Sequence, residues 1–142
     1  MLSILIVEDG DNRIEVLRRL YSRHKLTVCR DGQSAMKTLR TGAFDLIHLD
    51  HDLEGELTGV DVAGTIRSAC PETPVIVHSE NSSGVSAILR VLPDALQIPI
   101  STLSEKTPLT SQLKALLSAS GLDSADRIVT LLRETIEPLT KK

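Results

Sequence analysis

The chain has 142 residues, a length that suits one domain with a core of its own. Hydrophobic residues make up 41% and charged residues 25%, and 16 Lys and Arg against 19 Asp and Glu leave a net charge of −3. No basic excess points to nucleic acid or an anionic membrane, and the only aromatics, Tyr21 and Phe44, offer no stacking platform for bases or sugars.

Residues 2–7 form a continuous apolar run that ends abruptly in Glu8-Asp9-Gly10-Asp11. Such a run marks a strand of a parallel sheet covered on both faces. Asp11 or Asn12 is expected to cap a helix reaching about His24, with Ile14, Leu17, Leu20 and Tyr21 at helical spacing. Residues 26–30 read as a second strand. Asp31-Gly32 turns into a helix bearing Ala35, Met36 and Leu39, which Gly42 stops. Residues 44–49 form a third strand, again running into acid at Asp50. After a Gly- and Glu-rich loop to about Gly59, Val62, Ala63, Ile66 and Ala69 mark a helix that ends before Pro71. Residues 73–77 are a fourth strand, followed by the polar segment His78-Ser79-Glu80-Asn81-Ser82-Ser83-Gly84. Val85, Ile88, Leu89 and Leu92 mark the next helix, and residues 95–98 a fifth strand stopped by Pro99.

This alternation predicts an α/β fold, a doubly wound five-stranded parallel sheet with right-handed crossovers. Two further helices are expected: one opened by Thr107-Pro108 and stopped by Gly121, and one over 124–136 with Ile128, Leu131, Leu132 and Ile136 on one face. The division is then an α/β domain over 1–120 and a helical extension over 121–142, whose last helix packs on the domain or on a second chain as a homodimer. Cys29 and Cys70 are too few for a disulfide framework and read as reduced core residues. No stretch approaches the roughly 18 apolar residues of a membrane span. The start lacks a basic segment and a cleavage site, so a cytoplasmic location is expected.

In an open parallel sheet, ligands bind at the carboxyl ends of the strands. Acids and histidines gather there. Glu8 and Asp9 follow strand one, Asp50, His51 and Asp52 follow strand three, and His78, Ser79 and Asn81 follow strand four. In the order 2-1-3-4-5 these strands are neighbours, so the groups converge. No Lys or Arg occurs from Thr41 to Ile66, a window holding Asp45, Asp50, Asp52, Glu54, Glu56 and Asp61. Carboxylates on one site repel unless a cation or protons intervene. Oxygen donors favour Mg²⁺ or Mn²⁺, and Asp9, Asp50 and Glu8 are the first candidates to hold the ion. His48, inside its strand, reads as a satisfied buried histidine. His24 reads as a helix-closing residue that favours the helix dipole.

The motifs resemble the receiver domains of two-component response regulators over roughly residues 2–118. Ile-Leu-Ile-Val-Glu8-Asp9 is similar to the family's acidic pair, Phe44-Asp45-Leu-Ile-His-Leu-Asp50 to the third strand with its phosphoacceptor aspartate, and Pro74-Val-Ile-Val-His78-Ser79 to the fourth strand with its switch residue. The resemblance implies a flavodoxin-like fold, Mg²⁺ held by Glu8 and Asp9, a phosphoryl group on Asp50, the Asp52 carbonyl in the metal shell, and Ser79 on the phosphoryl oxygens. It also implies a signalling protein as partner. Two features depart from it. Ile98 precedes Pro99 where the family has a lysine, and no Lys occurs between Lys37 and Lys106; Leu96 stands near the place of the family's aromatic switch. Leu49-Asp50-His51-Asp52-Leu53 and His78-Ser79-Glu80-Asn81 instead resemble a divergent receiver-like group with LDHDL and HSxN motifs, proposed to process cyclic phosphates.

Two functions follow as expectations. One is a signalling module with a divalent-metal site and no standard phosphorelay. The other is a metal-dependent phosphoesterase acting on a cyclic phosphate or nucleotide, a small phosphorylated ligand. For the second, Asp50, His78, His51 and Asn81 are the candidate catalytic residues. The metal falls to Glu8, Asp9, Asp50 and Asp52, and the phosphoryl oxygens to Ser79 and Asn81. The metal would acidify a bound water, His78 or His51 would move the proton, and Ser79 and Asn81 would hydrogen-bond the developing charge.

Overall fold

A computed structural model describes residues 1–98 and, beyond them, the helical residues Arg127, Val129, Thr130, Arg133 and Glu134. Five strands, β1 (Ser3–Val7), β2 (Lys25–Cys29), β3 (Leu46–Leu49), β4 (Val75–Val77) and β5 (Leu96–Gln97), pair in parallel in the order β2-β1-β3-β4-β5. Helices α1 (Asp11–Leu20), α2 (Gly32–Thr41), α3 (Gly59–Ala69) and α4 (Ser82–Val91) make the crossovers. The sequence-predicted helix over 107–121, nearly all of that over 124–136 and the self-association through it lie outside the described residues.

Strand alternation sorts the core into two layers. Ile4 and Ile6, Leu46, Ile76, Leu96 and Ile98 face one side, where they pack with Leu17, Leu20 and Tyr21 of α1 and its end. Val129 joins this cluster. Leu5 and Val7, Ile47 and Leu49, Val75 and Val77 face the other, against Ala35 and Leu39 of α2, Val62, Ala63 and Ile66 of α3, and Val85 and Ile88 of α4. Both faces of β1, β3 and β4 are covered, which is why these strands read as unbroken apolar runs.

Several local expectations are corrected. The N-cap of α1 is Gly10, with no side-chain cap, instead of Asp11 or Asn12. The Asp9 and Gly10 amides are taken by the Glu8 carboxylate, both at 2.8 Å. α1 ends at Leu20, because the chain turns after Tyr21 to begin β2 at Lys25. His24 therefore lies past the helix, where its Nδ1 accepts the Leu2 amide at 3.2 Å. β3 starts two residues later than predicted, since Asp45 turns its carboxylate back to the Ser3 amide at 2.8 Å. Cys29 and Cys70 are free, the first buried and the second half-buried.

The starts of two helices shape the site. Thr58 caps α3 in a reciprocal capping box with Asp61. At Gly59 this helix presses on the end of β3, where an added Cβ would overlap the Asp50 carbonyl oxygen. Asn81 caps α4, its Oδ1 accepting from the Gly84 amide at 3.0 Å. An added Cβ at Gly84 would overlap the His51 ring, so the imidazole rests on the bare backbone of α4.

Candidate functional site

Register brings the acids together. Val7 is level with Leu49, and Leu49 with Val77. The next residue of each strand continues the row: Asp50 donates its amide to the Val7 carbonyl (3.0 Å), His78 to Leu49 (3.1 Å) and Ile98 to Val77 (2.9 Å). Glu8, Asp50, His78 and Ile98 thus stand side by side across the sheet. By the period of two, each shares the α1 face with the residue two places before it. Glu8, Asp50 and His78 are all buried. One donor atom from each lies within 4.8 Å of the others.

The buried wall is tightly bonded. Glu8 Oε1 accepts from His78 Nε2 at 2.9 Å and from Arg13 Nε at 2.8 Å. Its Oε2 accepts the two backbone amides already named. A carboxylate offers about four lone-pair sites, so Glu8 is saturated by donors from its own chain. Burial by itself would raise the Glu8 carboxyl, but the bonds from His78, Arg13 and the Gly10 amide outweigh it and draw the pKa from 4.5 to about 2. Asp50 goes the other way. Burial and the nearby Glu8 charge push it up, against the opposing His78 ring, Ser79 hydroxyl and His51 amide. Asp9 is also pushed up, by burial and by Glu8.

Two histidines lie behind this wall. His48, two residues before Asp50, receives the Tyr21 hydroxyl at Nε2 (2.5 Å). Its ring is 5.7 Å from that of His78, and among the described residues neither Nδ1 has a hydrogen-bond partner. His48 is thus only half satisfied, a correction to the expectation. Tyr21, just past the end of α1, reaches a single nitrogen of the buried ring. Burial drives the His48 pKa well down and that of Tyr21 up, so both groups of this contact are held neutral.

The rim of the site is different. Asp52 is exposed, and its Oδ1 takes His51 Nδ1 at 2.8 Å and Asn81 Nδ2 at 3.2 Å. Ser79 is buried, with its Oγ accepting the Asn81 amide at 3.1 Å. A cavity of about 260 Å³ opens between wall and rim, lined by Arg13, Asp50, Asp52, His78, Ser79, Glu80 and Asn81.

Of the sequence-predicted metal residues, Glu8 and Asp50 join the buried group, together with His78, which was expected only to move protons. Asp9 and Asp52 stand outside it. Asp9 turns to Arg13, with Oδ1 3.4 Å from Nη2. Of the predicted catalytic residues, Asp50, His78 and Asn81 line the cavity, whereas His51 lies beside it on Gly84. Ser79 and Asn81, the predicted phosphoryl ligands, both line it. Glu54 and Glu56 are exposed on either side of Gly55. Sequence reasoning missed Arg13. The available signal was its place in the first turn after the acidic strand end, where α1 starts at the carboxyl edge of the sheet.

A doubly wound sheet with an acid at the ends of β1 and β3 and a Ser at the end of β4 defines a receiver-like α/β domain. Residues 4–94 match the family described as the cyclic-phosphate processing receiver domain, and the chain belongs to that family. Solved receiver structures have the same fold. The response regulator TrrA of Thermotoga maritima, in complex with Mg²⁺ and BeF, is 25% identical, with 82% of this chain and 99% of that one covered at a TM-score of 0.63. The Mn²⁺-bound response regulator Rcp1 is 21% identical, with 82% and 89% covered at 0.61. The response regulator domain of Thermotoga maritima CheB is 19% identical, with 94% and 97% covered at 0.63. No curated protein matches the chain. Among the described residues, no helix is long and apolar enough to cross a membrane.

Proposed function

We propose that this domain binds a divalent cation, Mg²⁺ or Mn²⁺, at Glu8, Asp50 and His78 and opens a small cyclic phosphate above it. The observation that carries this reading is the buried trio of donors, two of which, Asp50 and His78, line the cavity. Two carboxylates and an imidazole suit such a cation. Burial and the Glu8 charge push the Asp50 carboxyl up, a crowding that a cation would relieve, and His78 has a buried nitrogen without a partner among the described residues. Glu8 would give the cation the lone pair that Arg13 Nε now uses. When bound, the ion supplies Lewis-acid polarisation of a phosphoryl oxygen and a more acidic water.

The chain does the rest. Glu8 holds the His78 ring from behind, as carboxylates hold metal-site histidines. The Ser79 hydroxyl and the Asn81 amide stand at the cavity wall to meet phosphoryl oxygens. His51 and Asp52 form an imidazole–carboxylate pair at the rim, placed to move a proton to the leaving oxygen. The cavity is at the small end of ligand sites, in keeping with a compact substrate. In the reaction water adds to phosphorus, one ring P–O bond breaks, and the freed oxygen takes a proton, leaving a monoester. The family's description as cyclic-phosphate processing supports the reading.

The test is turnover of cyclic nucleotide monophosphates with Mn²⁺, followed by ³¹P NMR. Ring opening is expected for the native chain and is abolished by a chelator, by Asp50→Ala and by His78→Ala. Turnover that survives either substitution overturns the reading. A signalling role is the second reading, favoured by Asp50 at the end of β3 beside Ser79. It predicts phosphorylation by acetyl phosphate with Mg²⁺, lost in Asp50→Ala, with output through a signalling protein partner.

A further inference from the structure

A phosphate entering this cavity meets Asp50 and Asp52, with Glu8 and Asp9 close by. It needs a cation. The strand-five end of the row carries Ile98, apolar and 1% exposed. Among the described residues lining the cavity, Arg13 is the only Lys or Arg, and it comes from the opposite side, from α1.

Arg13 is held by one edge and open along the other. Its Nε donates to Glu8, and its Nη2 points to Asp9 over a long 3.4 Å. A guanidinium has five N–H donors, and the Nη1 pair and the second Nη2 hydrogen have no partner among the described residues. The side chain is 45% exposed, so these donors are available to a ligand. The seat beneath it is also specific. A Cβ on Gly10 would lie 2.6 Å from Arg13 Nη2, so the guanidinium rests on the glycine backbone. Gly10 occupies an N-cap where Asp, Asn or Ser would satisfy the helix better, and only Gly leaves room for this arrangement.

We propose that Arg13 is the residue that grips the phosphate of the ligand, its spare N–H groups binding phosphoryl oxygens over Asp50 in place of a strand-five cation. This rests on the reading of the cavity as a phosphoester site. A planar fork suits two phosphate oxygens at once, which a lysine does not match. With no cation on Glu8, that carboxylate orients the fork from below and steadies the His78 ring as well.

The test titrates inorganic phosphate by calorimetry into the native chain, Arg13→Ala and Arg13→Lys, with Mn²⁺ titrated separately into each. Urea midpoints establish that each variant folds, and Arg13→Lys serves alone should Arg13→Ala not fold. Loss of a charged hydrogen-bond clamp is expected to weaken phosphate binding by about tenfold or more in Arg13→Ala, and by less in Arg13→Lys. Mn²⁺ affinity is expected to hold or rise in Arg13→Ala, because Glu8 loses its internal cation. Equal phosphate affinity in the native chain and the variants, or no phosphate binding by the native chain, overturns the proposal. Absence of Mn²⁺ binding with Arg13-dependent phosphate binding instead overturns the metal reading and leaves this one standing.

Discussion

The wall and the rim of the cavity use the same residue types in opposite ways. In the wall, Glu8 and His78 are fully buried, and Glu8 has every lone pair taken. In the rim, Asp52 meets His51 and Asn81 with 68% of its side chain in water. Both are carboxylate–imidazole contacts near 2.9 Å. Their energetic consequences differ because water competes for one and not for the other. A contact list alone would rank them equally.

The largest expected break is Glu8→Ala. It strips a buried His78 and the Arg13 guanidinium of their shared partner, and a broken buried pair costs about 3 kcal/mol or more. Urea unfolding at pH 7 checks this. The native carboxyl lies near 2 against an ordinary 4.5. Its stabilisation is therefore complete above 4.5 and disappears as the pH falls from there towards 2. The gap between the native chain and Glu8→Gln should close over that window, and a constant gap would remove the carboxylate's charge from the account.

Gly59→Ala comes next, at about 2 kcal/mol, because its Cβ would meet backbone at Asp50, which has no side-chain freedom to yield. Thermal unfolding measures the loss, and weakened Mn²⁺ binding in the same variant would show that α3 sets the position of Asp50. Asp50→Asn has the opposite sign. It removes a buried charge that Glu8 opposes and keeps an oxygen for the His51 amide, so the metal-free urea midpoint rises. Mn²⁺ then stabilises the native chain and not the variant. A fall in the metal-free midpoint would contradict the crowding of the two acids.

The rim variants sharpen the contrast at its small end. Asn81→Ala loses the cap of α4, about 1 kcal/mol. Asp52→Ala loses an exposed pair worth less than about 0.5 kcal/mol. Denaturation curves separate the two, and a larger effect for Asp52 than for Asn81 would mean that the rim is not solvated as described.

Much of this was legible in the chain. Unbroken apolar strands ending in Glu8, Asp50 and His78 pointed to the parallel sheet and to convergence at its carboxyl edge. Parity would have gone further: Ile4, Ile6 and Glu8 alternate, as do Leu46, His48 and Asp50, so both rows were bound to share a face. Caps read less well. Asp11 and Asn12 are ordinary capping residues, yet Gly10 takes the place, in the turn where the Glu8 carboxylate accepts the Asp9 and Gly10 amides. Arg13 itself went unremarked, because the helical spacing of α1 marks only its apolar residues.

The sequence by itself determined the parallel sheet and the edge at which acids and histidines gather, because unbroken apolar strands alternating with helices leave few other architectures, while the strand order came with the resemblance of its motifs to receiver domains. Only the tertiary structure decided which of those acids are buried together and which face water. It also decided that an arginine from α1 would bond Glu8, and that His48 and His78 would each keep a nitrogen without a partner among the described residues. Those outcomes depend on register across three strands and on where two helices, at Gly59 and Gly84, press against the end of β3, distances that no local run of residues contains.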